Sequence, residues 1–179
     1  MKRRCKTRHG NCRLMLILRF ILVFNILSLP MYAVMYFELS SSQLQEFVAS
    51  LSSLLLAAVG HPNTLNGHEI LVTQPEGMRS IDVSWDSTGW KSLYAMFSLI
   101  MATPLVRPGT KLRYIAAFLP AVFAVNIFRI VTTISIAITY GFSYFDFVHL
   151  FLWRWLLIAT ILALWAVYFV KEKDIMIKA

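Results

Sequence analysis

Four stretches of this chain are almost continuously apolar, and each is long enough for a membrane-crossing helix, which takes about 20 residues. They cover residues 14–37, 88–106, 112–140 and 145–170. Few ionisable or amide side chains interrupt them. Arg19 lies near one end of the first and Lys91 near the start of the second; Asn126 and Arg129 lie inside the third, His149 and Arg154 inside the fourth. A fifth apolar stretch, 44–59, is shorter and carries Glu46, Ser50, Ser52 and Ser53. That pattern predicts an interfacial or re-entrant helix and not a crossing. After it, long runs give way to short ones. Residues 68–73 and 80–85 are β-prone, and 74–79, with Pro75 and Gly77, carry a turn signal between them.

These elements predict an all-α integral membrane fold: a bundle of four transmembrane helices, one short interfacial or re-entrant helix, and a small external β-hairpin. A single membrane domain is expected over 1–179. It runs from a basic cytoplasmic tail (1–13) through a span (14–37), the interfacial helix (44–59) and the external hairpin loop (61–86). Spans at 88–106, 112–140 and 145–170 and a cytoplasmic tail (171–179) follow. A groove is expected to open outward between the second, third and fourth spans. The basic tail before an apolar run superficially resembles a signal peptide. The run is too long for that and no small-x-small cleavage site follows it, so an uncleaved first helix is predicted.

Charge supplies the orientation. Lys2, Arg3, Arg4, Lys6, Arg8 and Arg13 precede the first span; Arg107, Lys111 and Arg113 lie at the junction of the second and third; Lys171, Lys173 and Lys178 follow the fourth. Four crossings with both termini cytoplasmic put all three clusters inside. Glu38, Glu46, Glu69, Glu76, Asp82, Asp86 and Asp146 then fall outside. A fifth crossing at 44–59 would export the cluster around Arg107, which argues against it. Composition agrees with a multi-pass protein of the cytoplasmic membrane. The chain is 58% hydrophobic with a mean hydropathy of +0.65, against about 45–50% apolar for soluble domains. The net charge of +8 sits in clusters between apolar runs, not on one face, so no nucleic-acid partner is expected. Cys5 and Cys12 both lie in the basic tail. They offer neither an extracellular disulfide framework nor a cysteine nucleophile deeper in the chain.

Ionisable groups inside a span are costly and usually functional. Arg129 lies roughly 25 Å along the third span from its inner end, which puts it in the outer part of the hydrocarbon layer. Asn126, three residues earlier, shares its face. His149 lies about 6 Å in from the outer end of the fourth span, and Asp146, one turn before it, is placed to orient or charge-stabilise the imidazole. Ser87 precedes Thr88 and Gly89 at the outer end of the second span. A serine there serves as a helix N-cap, or as a nucleophile at the positive end of a helix dipole. Topology alone brings Ser87, Arg129 and His149 to a similar depth near the outer face.

The ordered set Ser87-Thr88-Gly89, Asn126-Ile127-Phe128-Arg129 and His149 resembles the exosortase/archaeosortase family, whose members carry Cys-Thr-Gly or Cys-Ser-Gly, then Asn-x-x-Arg, then a lone histidine on successive membrane helices. The resemblance covers roughly 81–169, and the compact length is more similar to the small archaeosortases. It implies a membrane transpeptidase. Such an enzyme recognises a secreted protein by a C-terminal tail of short signature, transmembrane helix and basic cluster. It cleaves near the signature on the outer side and passes the new C-terminus to a membrane lipid or other acceptor. By position the resemblance puts Ser87 at the nucleophile, Arg129 at the oxyanion stabiliser and His149 at the general acid/base, with Asn126, Asp146, Thr88 and Gly89 in support. It implies no cofactor and no metal. Serine stands where the family has cysteine. A thiol is ionised by nearby cations, whereas a serine hydroxyl needs a general base. Ser87 therefore fits a natural serine variant, an engineered substitution that disarms or traps the enzyme, or a pseudoenzyme that only binds.

Two rival functions compete with a transpeptidase. One is an intramembrane serine protease that only hydrolyses, although the context Trp85-Asp86-Ser87-Thr88-Gly89 lacks the first glycine of the rhomboid-type Gly-x-Ser-Gly motif. The other is a non-catalytic tail-binding membrane factor. Lys91, one turn from Ser87, serves either as a base of the serine–lysine kind or as a snorkelling lysine. Trp85, Trp90, Trp153, Trp155 and Trp165 read as interface anchors or packing. Arg154 has no assigned role, and His61, His68 and His149 lack metal-ligand spacing.

Overall fold

A computed structural model describes residues 9–74, 77–141 and 155–178, with side chains described over 14–73, 77–141 and 155–172. The fold is mostly helical (76%) with one small sheet. In chain order the elements are α1 (His9–Tyr36), α2 (Ser42–Ala58), β1 (Asn63–Asn66), β2 (Glu69–Gln74), β3 (Gly77–Asp82) and a 3-10 turn (Trp85–Thr88), followed by α3 (Trp90–Ala102), α4 (Pro108–Tyr140) and α5 (Leu157–Lys178).

Two of these helices are long and apolar enough to cross a membrane, over Leu14–Tyr36 and Pro108–Tyr140. Only 6% of the apolar window of α1 is buried by protein. Leu14, Met15, Leu18 and Leu22 on it are more than half exposed, a surface suited to lipid. The helix packs along α3, where Tyr94 donates its hydroxyl to Leu27 O at 2.8 Å, and Phe20 stacks on Trp165 of α5 at 5.7 Å.

The span expected at 88–106 is shorter than the pattern suggested. Here α3 covers 13 residues, roughly 20 Å, less than the hydrocarbon thickness of about 30 Å. Local chemistry sets both ends. Gly89, with φ 80°, turns the chain at the start. At the other end Thr103 is extended (ψ 118°) because Pro104 follows it and excludes the helical region from the preceding residue. Lys111 Nζ then caps the terminal turn by donating to Met101 O at 2.6 Å. The fourth expected span, 145–170, lies partly outside the described residues.

By contrast α4 is long. Its 33 residues extend about 50 Å, so it must tilt or project beyond the hydrocarbon layer. Its two halves serve two cores. Val122 packs with Met96, Ile100, Val106, Ile161 and Tyr168, where α3, α4 and α5 meet. Ile127, Ile130, Val131 and Ile134 pack instead with Val48, Ala49 and Leu56 of α2 and with Ile70, Val72, Ile81 and Val83.

The expected two-stranded hairpin is a three-stranded antiparallel meander, β1-β2-β3. Ile70 pairs with Ile81 across β2 and β3, and these side chains face the core under α2 and α4. The extra strand, β1, pairs Thr64 with Leu71 and is fastened to α2: Asn63 receives the Ser53 hydroxyl and returns its own amide to Ser53 O. Ser41 caps α2 by accepting from Leu44 N. The helix buries Val48, Ala49, Ser52 and Leu56, a spacing that makes one face. A cavity of about 690 Å³ opens between α2 and α4, walled by Leu51, Leu55, Phe123, Phe128 and Tyr140 among others. It lies on the α2 side of α4, away from the α3–α5 contact.

Candidate active site

Between β3 and α3 the chain makes a tight 3-10 turn, Trp85–Thr88. Thr88 closes it by donating Oγ1 to Trp85 O at 2.8 Å and is fully buried. Trp85 and Trp90 stack across it at 5.4 Å. Gly89 ends it in the left-handed region, where a side chain is strained. A Cβ there would also lie 2.7 Å from Asn126 Cγ, so Gly89 lets α4 approach the turn. Gly89, not Ser87, is the N-cap of α3, which removes the helix-cap role from Ser87.

The carbonyl of Ser87 is held from α4. Asn126 donates Nδ2 to it at 3.0 Å and Arg129 donates Nη2 at 3.2 Å. Together they fill the acceptor capacity of one carbonyl. Asn126 and Arg129 are each 1% exposed, and Thr133 bonds back to Arg129 O at 2.8 Å. Their spacing of three puts both donors on the same face of α4, so one helix register delivers both. A cleft of about 30 Å³ adjoins them, lined by Asp82, Ser87, Arg129 and Thr133 together with Ile81, Val83, Ile130 and Ile134. That is room for about one water.

Ser87 itself is 8% exposed. Its hydroxyl lies 2.9 Å from Ser84 Oγ, with either oxygen able to donate. Lys91 does not act as a partner for that hydroxyl through any bond seen here; its Nζ pairs with Asp86 Oδ1 at 2.7 Å and sits 5.9 Å over the Trp90 ring. At the edge of the cleft Asp82 pairs with His68, Oδ1 to Nε2 at 3.4 Å. Thus Ser87, Thr88, Gly89, Asn126 and Arg129 are brought together, although Ser87 and Arg129 are 42 positions apart. His149, Asp146 and Arg154 lie outside the described residues. Ser84 and Asp82 were not singled out by the sequence. Ser84 belongs to no motif, and only its spacing of three from Ser87 hints at a turn contact.

Fold and site together define a mostly helical protein whose serine turn is gripped by an Asn-x-x-Arg pair on a helix long and apolar enough to span a membrane. Residues 10–167 match the family model described as Transmembrane exosortase (Exosortase_EpsH), and the chain belongs to that family. Comparison with curated proteins and with solved structures gave no match. The family is transmembrane and peptidase-like, and acts in general on secreted proteins with C-terminal sorting signals.

Proposed function

We propose that this chain is an archaeosortase-like membrane transpeptidase. It cleaves the C-terminal sorting tail of secreted surface proteins on the outer side of the cytoplasmic membrane and transfers the new C-terminus to a lipid or other acceptor. The observation that supports this reading is the pair of hydrogen bonds donated by Asn126 and Arg129 to the carbonyl of Ser87. It fixes the residue at the nucleophile position beside a buried guanidinium.

The chemistry runs in two balanced halves. Ser87 Oγ bonds to the scissile carbonyl carbon while its proton passes to His149. The oxyanion that forms is neutralised by the Arg129 guanidinium. The C–N bond then breaks, and His149 returns the proton to the leaving amine. An acceptor hydroxyl or amine attacks the resulting ester, gives its proton to His149, and releases Ser87 Oγ, which takes that proton back. Asp146, three positions earlier in the sequence, orients His149. Thr88, Gly89 and Asn126 shape the turn. In this reading both termini are cytoplasmic, the chain crosses four times with the bilayer thinned around the short α3, and the Ser87 turn faces outward, in line with the basic clusters.

Co-expression with a tail-bearing substrate, followed by mass spectrometry of the product, tests the proposal. Processing by the chain and by Ser87→Cys, with none by Ser87→Ala, is the expected result. Processing by Ser87→Cys alone would make this chain a disarmed or binding-only form. Equal product from Ser87→Ala would remove Ser87 from the chemistry.

A further inference from the structure

We infer that Ser84 is a positioning residue for Ser87, holding Ser87 Oγ in the one rotamer from which it attacks. This rests on Ser87 being the nucleophile.

Two contacts run from Ser84 to Ser87. Its carbonyl accepts Ser87 N at 2.9 Å, and its Oγ lies 2.9 Å from Ser87 Oγ. Ser84 occupies the N-cap position of the turn yet makes no side-chain cap bond. A serine at an N-cap ordinarily spends its oxygen on a backbone N–H. Here the oxygen is directed to another hydroxyl instead, which a purely structural cap does not explain.

Ser84 is itself anchored through the residue before it. Its neighbour Val83 is 2% exposed. Val83 donates N–H to His68 O at 3.0 Å and accepts from Gln45 Nε2 at 3.1 Å. The sheet and α2 therefore place Ser84, whereas α4 places the Ser87 carbonyl. Residue 87 is thus fixed from two independent directions, main chain from one and side chain from the other. A free serine hydroxyl samples three staggered wells, and attack needs one of them. The contact between the two hydroxyls, whichever donates, selects that well.

A sulfur at position 87 gains little from this arrangement, because it is a weak donor and a weak acceptor and reacts as the thiolate. That difference separates positioning from mere support of the turn. The full chain in lipid nanodiscs is treated with an alkyl fluorophosphonate and followed by intact mass. Phosphorus takes the Ser87 oxygen, fluoride leaves, and the hydroxyl proton passes to buffer. Ser84→Ala is expected to slow labelling at saturating probe by about tenfold, the kinetic worth of roughly one hydrogen bond, with the half-saturating concentration unchanged. Ser84→Thr, which keeps the hydroxyl, is expected to restore it. In the Ser87→Cys chain, alkylated by iodoacetamide, Ser84→Ala should change the rate by less than about twofold on the same thiolate argument.

Equal slowing in both backgrounds, or no rescue by threonine, overturns the proposal in favour of a structural turn. Labelling of Ser87→Cys but never of Ser87 overturns it while leaving the transpeptidase site in place. Failure of both residues to react removes the nucleophile position as well.

Discussion

Gly89 and Asn126 touch so closely that the first must lack a side chain: a Cβ at 89 would stand 2.7 Å from Asn126 Cγ and 2.8 Å from its Nδ2. The same Nδ2 donates to Ser87 O. The glycine of the Ser-Thr-Gly turn and the asparagine of Asn-x-x-Arg are thus one packing unit, written in two places along the chain.

Gly89→Ala is expected to destabilise the protein by about 2–4 kcal/mol, combining positive-φ strain with overpacking. Gly60 provides the control. Its φ is also positive, at 95°, but nothing lies within 4 Å of the added Cβ, so Gly60→Ala should cost only about 1–2 kcal/mol. Thermal unfolding in detergent measures both. In Gly89→Ala/Asn126→Ala the overpacking part should be relieved, making the pair less than additive.

Arg129→Lys keeps a charge but loses the planar fork that reaches Ser87 O. Product formation should fall by about 10²–10³-fold, while co-purification of a tail-bearing substrate persists. Turnover that survives Arg129→Lys undiminished would leave Arg129 a structural clamp only.

The pair Lys91–Asp86 is partly exposed, at 36% and 51%, and such pairs contribute about 0–1 kcal/mol. Lys91→Met should therefore shift the unfolding midpoint only slightly and leave product formation within about twofold, as for most surface substitutions. A loss of several orders of magnitude would instead make Lys91 the base for Ser87.

Ile70 is fully buried where the sheet meets α2 and α4. Ile70→Ala should cost about 2–5 kcal/mol. Met78→Ala, at a side chain 66% exposed on the neighbouring strand, should cost under about 0.5 kcal/mol. Denaturation in mixed micelles compares the two.

Long apolar runs made α1 and α4 legible, because a helix in lipid must be apolar over most of its length, and a shorter, serine-bearing run marked α2. The ordered Ser87, Asn126 and Arg129 set was legible for the same reason: each polar residue stood out against such a run. The limits of α3 were less so. Hydropathy continues past Ala102, and only the Thr103-Pro104 pair marks the end. Strand β1, Asn-Thr-Leu-Asn, is too short and polar to show alternation; its pairing with β2 and its anchor on Ser53 create it. Nor does sequence reveal that Ser84 turns its hydroxyl to Ser87, since that depends on the 3-10 geometry. The expected places of His149 and Asp146 lie outside the described residues.

The division of α4 between two cores has a mechanical consequence. Its first half is gripped by α3 and α5, its second by α2 and the sheet, and the two donors to Ser87 O sit on one rigid rod. Sliding that rod by a single residue is about 1.5 Å, enough to stretch both bonds from near 3 Å past useful length. Asn126 and Arg129 therefore share one axial setting, and a shift of that helix would loosen both bonds together.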